Sequence, residues 1–483
     1  MKSKYITTAI DYVNGTPHIG HAVEKVQADA LARFYRIQGH DTYFLTGTDE
    51  HGQKIFEKAA ELGKDVQDMV DDNADVFEKM DEVLQVEYND FIRTTDKTKH
   101  WPSVQKMWRQ LEANGDLHKD EYEGLYCVGC EKFLTESELV DGKCVIHEKE
   151  PVKLKEENYF FNIGKYTDQI IEKIESGEFE IIPETRKREV LNILKAKEQY
   201  VSFSRPKSKL NWGIPVPGDD EHVMYVWCDA LTNYISALGY ESEGKLYKKF
   251  WEEGDVTQVI GKDIARFHTL IWPAMLLSAG VPLPNRIFIH GFISKDGKKL
   301  SKSTGNIIDP FDLVEQFGSD PVRYYLLSEV PAYGDGDYSE SRFREVYMSD
   351  LANGIGNLCS RVTNMVAQYM DGEVEKVNSG HDWSVCDSYV DTLQFDRAMA
   401  EIMSYVRELN KLIDDAKPWQ LAKSEQATDA EKLSEVLTKS VAGLSDIGTK
   451  LEPFLPTTGA AITKALSANR IEKSEALFPR LED

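Results

Sequence analysis

Tyr5-Ile6-Thr7-Thr8-Ala9-Ile10, then Asp11-Tyr12-Val13-Asn14-Gly15-Thr16-Pro17, then His18-Ile19-Gly20-His21 decide the fold. The first six residues read as a short buried strand, and Asn14 to Pro17 as a turn. A helix is predicted from about His18 to Ile37, because Val23, Val26, Ala30, Leu31 and Phe34 fall near helical spacing. Gly39 stops it, and Thr42 to Leu45 reads as a second strand. Strand, helix and strand within about forty residues make a parallel βαβ unit. Tyr225 to Cys228, Gln258 to Ile260 and Arg286 to Ile289 read as further strands. The expected fold is α/β, a Rossmann-like doubly wound parallel sheet, interrupted by an insertion and followed by an all-α helical bundle.

The boundaries follow from pattern changes. Residues 1–114 and 218–341 read as the two halves of the α/β domain. Residues 115–217 read as the insertion, β-rich and carrying a basic run of Arg186, Lys187, Arg188, Lys195, Lys197, Arg205, Lys207 and Lys209. Residues 342–483 read as helical. Leu351, Ile355, Leu358, Val362 and Met365 form one apolar helix stripe, with more helices at Phe395 to Ala416 and Ala430 to Leu451.

Composition narrows the class. The 483 residues suit about three domains. Acidic residues outnumber basic ones 82 to 57, for a net charge of −25, which excludes a histone-like coat but not local contact with nucleic acid. Met1 to Ile10 lacks a secretory core, and the apolar stretch Thr269 to Leu283 is short and carries Pro273 and Pro282. No membrane span is expected. Six cysteines are too few for a disulfide framework, so a reducing cytoplasm is expected. Cys228, Cys359 and Cys386 read as packed small hydrophobes.

Two segments carry phosphate chemistry. His18-Ile19-Gly20-His21 sits where a strand gives way to a helix, where free N–H groups and the positive end of the helix dipole favour anions. Gly20 leaves room for a nucleotide, and two imidazoles three apart can donate to phosphate oxygens. Lys299-Leu300-Ser301-Lys302-Ser303-Thr304-Gly305-Asn306 is the second segment. Between Arg286 and Asn306, five basic residues face a single acid, Asp296. Gly297 and Gly305 flank the run, as suits a mobile loop whose lysines close on polyphosphate.

A third motif, Cys127-x2-Cys130-x13-Cys144-x2-His147, has the ligand types and spacing of a tetrahedral zinc knuckle. Four protein ligands leave no open position, so one structural Zn²⁺ is expected.

The paired phosphate segments resemble the HIGH and KMSKS signatures of class I aminoacyl-tRNA synthetases, with Leu300 where the second usually has methionine. Further blocks narrow the resemblance to the methionyl-tRNA synthetases: Ile10 to Gly15, Thr46-Gly47-Thr48-Asp49-Glu50-His51-Gly52, Trp212 to Pro217, Tyr225-Val226-Trp227-Cys228-Asp229-Ala230, Ile260 to Ile264, His268 to Ala274, and His290-Gly291-Phe292-Ile293. It runs from about Lys4 to Leu455.

The resemblance implies a methionine–tRNA ligase working through methionyl-adenylate, with ATP and its Mg²⁺, L-methionine and tRNA(Met), initiator tRNA included, as partners. It implies phosphate contacts from His18, His21, Lys299 and Lys302, and a nucleotide site that adds Gly20, Glu24, Gly261 and Asp263. It puts the methionine pocket at Ile10, Tyr12, Trp227, Ala230, Leu231, Tyr234, Ile264, His268 and Trp272, with Asp49 on the substrate ammonium. Asn357 and Arg361, four apart on one helix face, and Trp419 fall on the anticodon-reading positions. Two positions depart from the family or vary within it: Asp11, where an aromatic or proline is usual, and Leu231, a variable pocket position. A monomer is expected, since nothing follows the bundle to match the C-terminal extension of some relatives.

Rival readings account for less. Valine, isoleucine and leucine enzymes need a large editing insertion, for which there is no room. A cysteine enzyme places its zinc in the substrate pocket. A zinc-knuckle RNA-binding module leaves both phosphate segments idle, and a small adenylyltransferase leaves the last 140 residues unexplained.

Overall fold

In the computed structural model, the described residues are 2–127, 132–134, 139–145, 149–300 and 306–481. They form two compact units. The first comprises Met1–Pro17, His40–Lys79 and Glu87–Ile289; the second comprises His18–Gly39, Met80–Val86 and His290–Asp483.

The first unit is built on a seven-stranded sheet in the order Glu180–Ile182, Arg286–His290, Asp255–Gly261, Lys4–Thr8, Thr42–Asp49, with Asp11–Tyr12 and Asp90–Arg93 both paired to the last. Lys4–Thr8 pairs in parallel on both sides, Lys4 to Asp255 and to Thr42. Parallel neighbours need a long crossover, and the helix Ile19–Ile37 supplies it in the chain between Lys4–Thr8 and Thr42–Asp49. Sheets of this kind bury both faces. Thr7, Thr8, Thr46 and Thr48 are accordingly fully buried. Thr8 and Thr46 satisfy each other across strands, Oγ1 to Oγ1 at 2.8 Å.

The β-rich part of residues 115–217 is an antiparallel sheet in which Leu117–Cys127 runs beside Val152–Phe161, from Leu117 opposite Phe161 to Tyr126 opposite Val152. Glu180–Ile182, also from this stretch, is instead an edge strand of the main parallel sheet. Arg205, counted with the basic run, is core: it is 3% exposed, its guanidinium 3.8 Å from the Tyr225 ring centre and 5.1 Å from that of Tyr126.

One predicted strand is a helix. The strand here is Asp219–Met224, Tyr225 is extended, and Val226–Leu231 is helical. Val226-Trp227-Cys228 favours β structure locally. Tertiary demand overrides it, because the fully buried Asp229 needs a helical turn to aim its carboxylate at two histidines.

The second unit contains Ile19–Ile37, closed by Gly39 in the left-handed region at φ +81°. A small sheet joins Ile293–Lys295 antiparallel to Lys298–Lys299 and parallel to Gly336–Tyr338. Asp296 and Gly297 turn this hairpin at φ 50° and 70°, the pattern of a type I′ Asp-Gly turn. The bundle follows, with Asn357–Tyr369, Phe395–Ala416, Ala427–Leu451 and Pro456–Ser467. The stripe of Leu351, Ile355, Leu358, Val362 and Met365 is buried throughout.

Arg323 anchors this unit. It is fully buried, pairs with Asp29 at 2.7 Å, and donates to the carbonyls of Phe454, Leu84 and Pro453. Cys228, Cys359 and Cys386 are buried thiols, as expected of small core residues, and burial pushes Cys386 up to about 12. Among the described residues no helix is long and apolar enough to cross a membrane.

Candidate active site

In open parallel sheets, ligands bind beyond the carboxyl ends of the strands. In the first unit, the strands Asp255–Gly261, Lys4–Thr8 and Thr42–Asp49 are neighbours. Their carboxyl ends carry Gly261 to Ile264, Ala9 to Tyr12, and Asp49 to His51. Asp49 is 6% exposed, and Tyr12 pairs with it across the sheet.

The aromatic residues of this region are ordered by specific contacts. Trp227 stacks on Phe267 with centroids 3.3 Å apart and planes 12° from parallel. Tyr234 Oη lies 2.6 Å from His268 Nε2, and His268 Nδ1 lies 3.0 Å from the Ile264 carbonyl. A carbonyl only accepts, so Nδ1 carries the proton and Nε2 of the neutral ring accepts from Tyr234. The resemblance puts both residues in the methionine pocket; here their side chains are engaged with each other. Tyr234 also lies 5.9 Å from the fully buried Trp272, and its carbonyl accepts from Tyr5 Oη at 2.7 Å. Ala230 and Leu231 are 6% and 3% exposed on the same helix as Trp227.

Sequence reasoning assigned no role to a buried polar network behind these residues. Asp229, fully buried, accepts from His51 Nδ1 at 2.6 Å and His100 Nε2 at 2.8 Å. Burial opposes its ionisation, but the electrostatic influence of His51 and the hydrogen bonds from His100 and His51 outweigh that and hold the carboxyl below its ordinary range. Glu50, also fully buried, receives Arg93 through both oxygens at 2.6 and 3.0 Å and Thr48 Oγ1 at 2.6 Å. Phe267 was missed as well, one residue before His268. The signal for Asp229 was available: a lone acid inside the apolar run Tyr225 to Leu231.

In the second unit, His18 is the N-cap of Ile19–Ile37. Its Nδ1 accepts from the Gly20 N–H at 3.1 Å, and His21 Nδ1 accepts from the His18 N–H at 3.0 Å. The rings stack 3.9 Å apart. The Ile19 N–H goes to the Ile308 carbonyl at 3.1 Å. The expected free N–H groups are therefore already taken, which corrects that part of the sequence reading. With Nδ1 accepting, the neutral imidazoles carry their protons on Nε2, the form that donates to anions. Gly20 is required for a nearer reason than nucleotide access: a Cβ there meets His18 Cε1 at 2.9 Å.

Glu24, one turn on, is 8% exposed and faces His290 Nε2 at 2.9 Å. Leu300 is half-buried beside the hairpin. The readings on Lys302 and its neighbours Ser301 to Gly305 lie outside the described residues, as do those on Cys130 and His147. Gly261 is buried, and Asp263 is exposed on the turn Lys262–Ile264. Cys127 and Cys144 are 3% and 2% exposed, in a small cluster with Leu134 and Leu139.

Asn357 is exposed on the helix Asn357–Tyr369. Arg361, on the same helix, pairs with Asp414 at 2.6 Å and lies 5.9 Å from the ring centre of the exposed Trp419.

A parallel sheet with Gly261, Tyr12 and Asp49 at its carboxyl ends, a His-capped helix and a helical bundle suit a class I tRNA synthetase. The family model described as tRNA synthetases class I (M) matches residues 4–144 and 135–363. The methionine–tRNA ligase of Caldanaerobacter subterraneus subsp. tengcongensis is 42% identical, over all of this chain and 79% of its own. That of Brucella melitensis is 40% identical over 96% and 92%. Among solved structures, Mycobacterium tuberculosis methionyl-tRNA synthetase bound by methionyl-adenylate superposes with a TM-score of 0.93 at 36% identity, covering 99% of this chain and 100% of that one. Its free form gives 0.87 at 34% identity, covering 100% and 99%. The chain belongs to the methionyl-tRNA synthetases, and it is an aminoacyl-tRNA ligase.

Proposed function

We propose that the chain activates L-methionine with ATP and transfers the methionyl group to the 3′ end of tRNA(Met), initiator tRNA included. The observation that carries this reading is the aromatic group of Trp227, Phe267, Tyr234, His268 and Trp272, in the same unit as the buried Asp49. Aromatic faces suit a polarizable thioether, and a buried carboxylate suits an ammonium. Ile10, Tyr12, Ala230, Leu231 and Ile264 complete the pocket in this reading.

The methionine carboxylate oxygen attacks the α-phosphorus, and the bond to the β-phosphate oxygen breaks to release pyrophosphate. The terminal ribose hydroxyl of tRNA then attacks the acyl carbon, loses its proton and displaces AMP. No enzyme nucleophile is needed; the protein positions the reactants and stabilises charge. In this reading His18 and His21 donate to phosphate through Nε2, and Gly20, Glu24, Gly261 and Asp263 are each nucleotide contacts. Lys299 and Lys302 act on the leaving pyrophosphate. Mg²⁺ arrives with ATP and neutralises phosphate charge.

Cys127, Cys130, Cys144 and His147 hold one structural Zn²⁺ in this reading, supported by two buried thiols inside an apolar cluster. Residues 1–114 and 218–341 are read as catalytic, 115–217 as connective, and 342–483 as anticodon-binding through Asn357, Arg361 and Trp419. A cytoplasmic monomer fits the reading.

The test is ATP–pyrophosphate exchange with each amino acid in turn, with zinc counted in the same sample. Exchange with methionine alone is expected. Exchange with a different amino acid keeps the class and discards the pocket.

A further inference from the structure

The buried network behind the pocket has a use in the reaction. Asp229 stands two residues after Trp227, and His51 two residues after Asp49. The Asp229 carboxylate has no proton to give, so both imidazoles donate to it. The proton is thereby fixed on His51 Nδ1 and on His100 Nε2. The far side of His100 meets Ser236 Oγ at 2.7 Å.

The Asp229 carboxylate therefore ties three segments of the first unit directly and a fourth through His100. They are the end of the strand Thr42–Asp49, the N-cap of the helix Trp101–Ala113, the helix Val226–Leu231 that carries Trp227, and the turn Asn233–Ser236 that carries Tyr234. Asp229, His100 and Ser236 are fully buried, and His51 is 2% exposed. Indole rings flank His51, Trp212 at 5.3 Å and Trp101 at 6.2 Å.

The strand end itself is held on every side. The Glu50 N–H donates to Thr94 Oγ1 at 2.9 Å, and the Glu50 carbonyl accepts from Trp212 Nε1 at 2.6 Å. Arg93 and Thr48 hold its carboxylate. Asp49 thus adjoins backbone held by these bonds, and the His51–Asp229 hydrogen bond links that backbone to the Trp227 helix.

We propose that Asp229, acting through His51 and His100, is a positioning residue that fixes the spacing between Asp49 and Trp227 and so sets the enzyme's affinity for its amino acid. The inference rests on the reading of Asp49 and Trp227 as methionine contacts. Catalytic groups displaced by an ångström lose much of their effect, and a buried carboxylate flanked by two donors defines position far better than apolar packing alone.

Asp229→Asn is the direct test. The side chain keeps its size but brings an NH₂ group against one of the two imidazole N–H groups, so that ring must change tautomer or turn. In ATP–pyrophosphate exchange, KM for methionine should rise about tenfold or more, while kcat and KM for ATP stay within about twofold. Side-chain ¹⁵N NMR of Asp229→Asn should show the altered tautomer at His51 or His100. Ser236→Ala, which removes only the outer hydroxyl, should raise KM for methionine about two- to threefold, and it decides the matter if Asp229→Asn does not fold.

Unchanged KM for methionine in the folded variant overturns the inference, and so does a fall in kcat together with a rise in both KM values. Asp49→Ala separates the two levels. Methionine affinity lost there but kept in Asp229→Asn overturns the inference alone. Affinity kept in Asp49→Ala overturns the pocket reading and the inference with it.

Discussion

Tyr234 and His268 are joined Oη to Nε2 at 2.6 Å, with the far nitrogen of the imidazole held by the Ile264 carbonyl at 3.0 Å. The ring can neither flip nor exchange tautomer without breaking one of these bonds. Tyr234→Phe leaves a buried imidazole acceptor unsatisfied, at a cost of about 1–2 kcal/mol. The expected result is a lower urea midpoint and a KM for methionine raised about tenfold, with KM for ATP little changed.

Gly20→Ala acts on the other half of the chemistry. The added Cβ at 2.9 Å from His18 Cε1 forces the ring off its cap. Loss of the cap costs about 1 kcal/mol, and the displaced imidazole no longer presents Nε2 correctly. Adenylate formation should fall about a hundredfold, with methionine binding retained. Equal losses in both would remove His18 from the phosphate chemistry.

Acid stability depends on Asp219. Burial opposes its ionisation, but Lys119, the Glu221 N–H and Tyr159 outweigh that and hold the carboxyl down at about 2. Its native value lies below the unfolded one near 4, so its contribution is fully present above about pH 4 and is lost as pH falls through about 2. Asp219→Asn should flatten the acid limb of the stability curve over that window and leave neutral behaviour nearly parallel to wild type. Equilibrium urea unfolding at stepped pH reads this directly.

Arg323→Met strips the buried partner from Asp29 and from three carbonyls. Removing one side of a buried pair costs about 3–5 kcal/mol. The variant should unfold at clearly lower urea concentration, and Arg323→Lys should recover little, because one ammonium cannot reach all four oxygens.

Periodicity made the fold legible where neighbours in sequence are also neighbours in packing. The helix Ile19–Ile37, the stripe from Leu351 to Met365 and the helix Phe395–Ala416 match their expected spans closely. It failed at Tyr225 to Cys228, where the deciding partners, His51 and His100, lie far away in the chain. The Asp296-Gly297 hairpin is legible in its turn residues, although the sequence reading there is a mobile loop. For the site, residue types indicated the chemistry, yet not that the His18, His21, Tyr234 and His268 rings are already committed to partners. Such commitments are pairwise geometry, which no spacing rule encodes.

The segment His18–Gly39 belongs with residues 290–483 rather than with its neighbours in sequence. During translation it leaves the ribosome long before its partners exist. Arg323 follows Asp29 by 294 positions, a delay of about 15–60 s at ~5–20 residues per second. For that interval the nascent helix exposes an apolar stripe, and Asp29 has Arg33 beside it but not yet Arg323, so this segment is one that a holding chaperone has reason to protect.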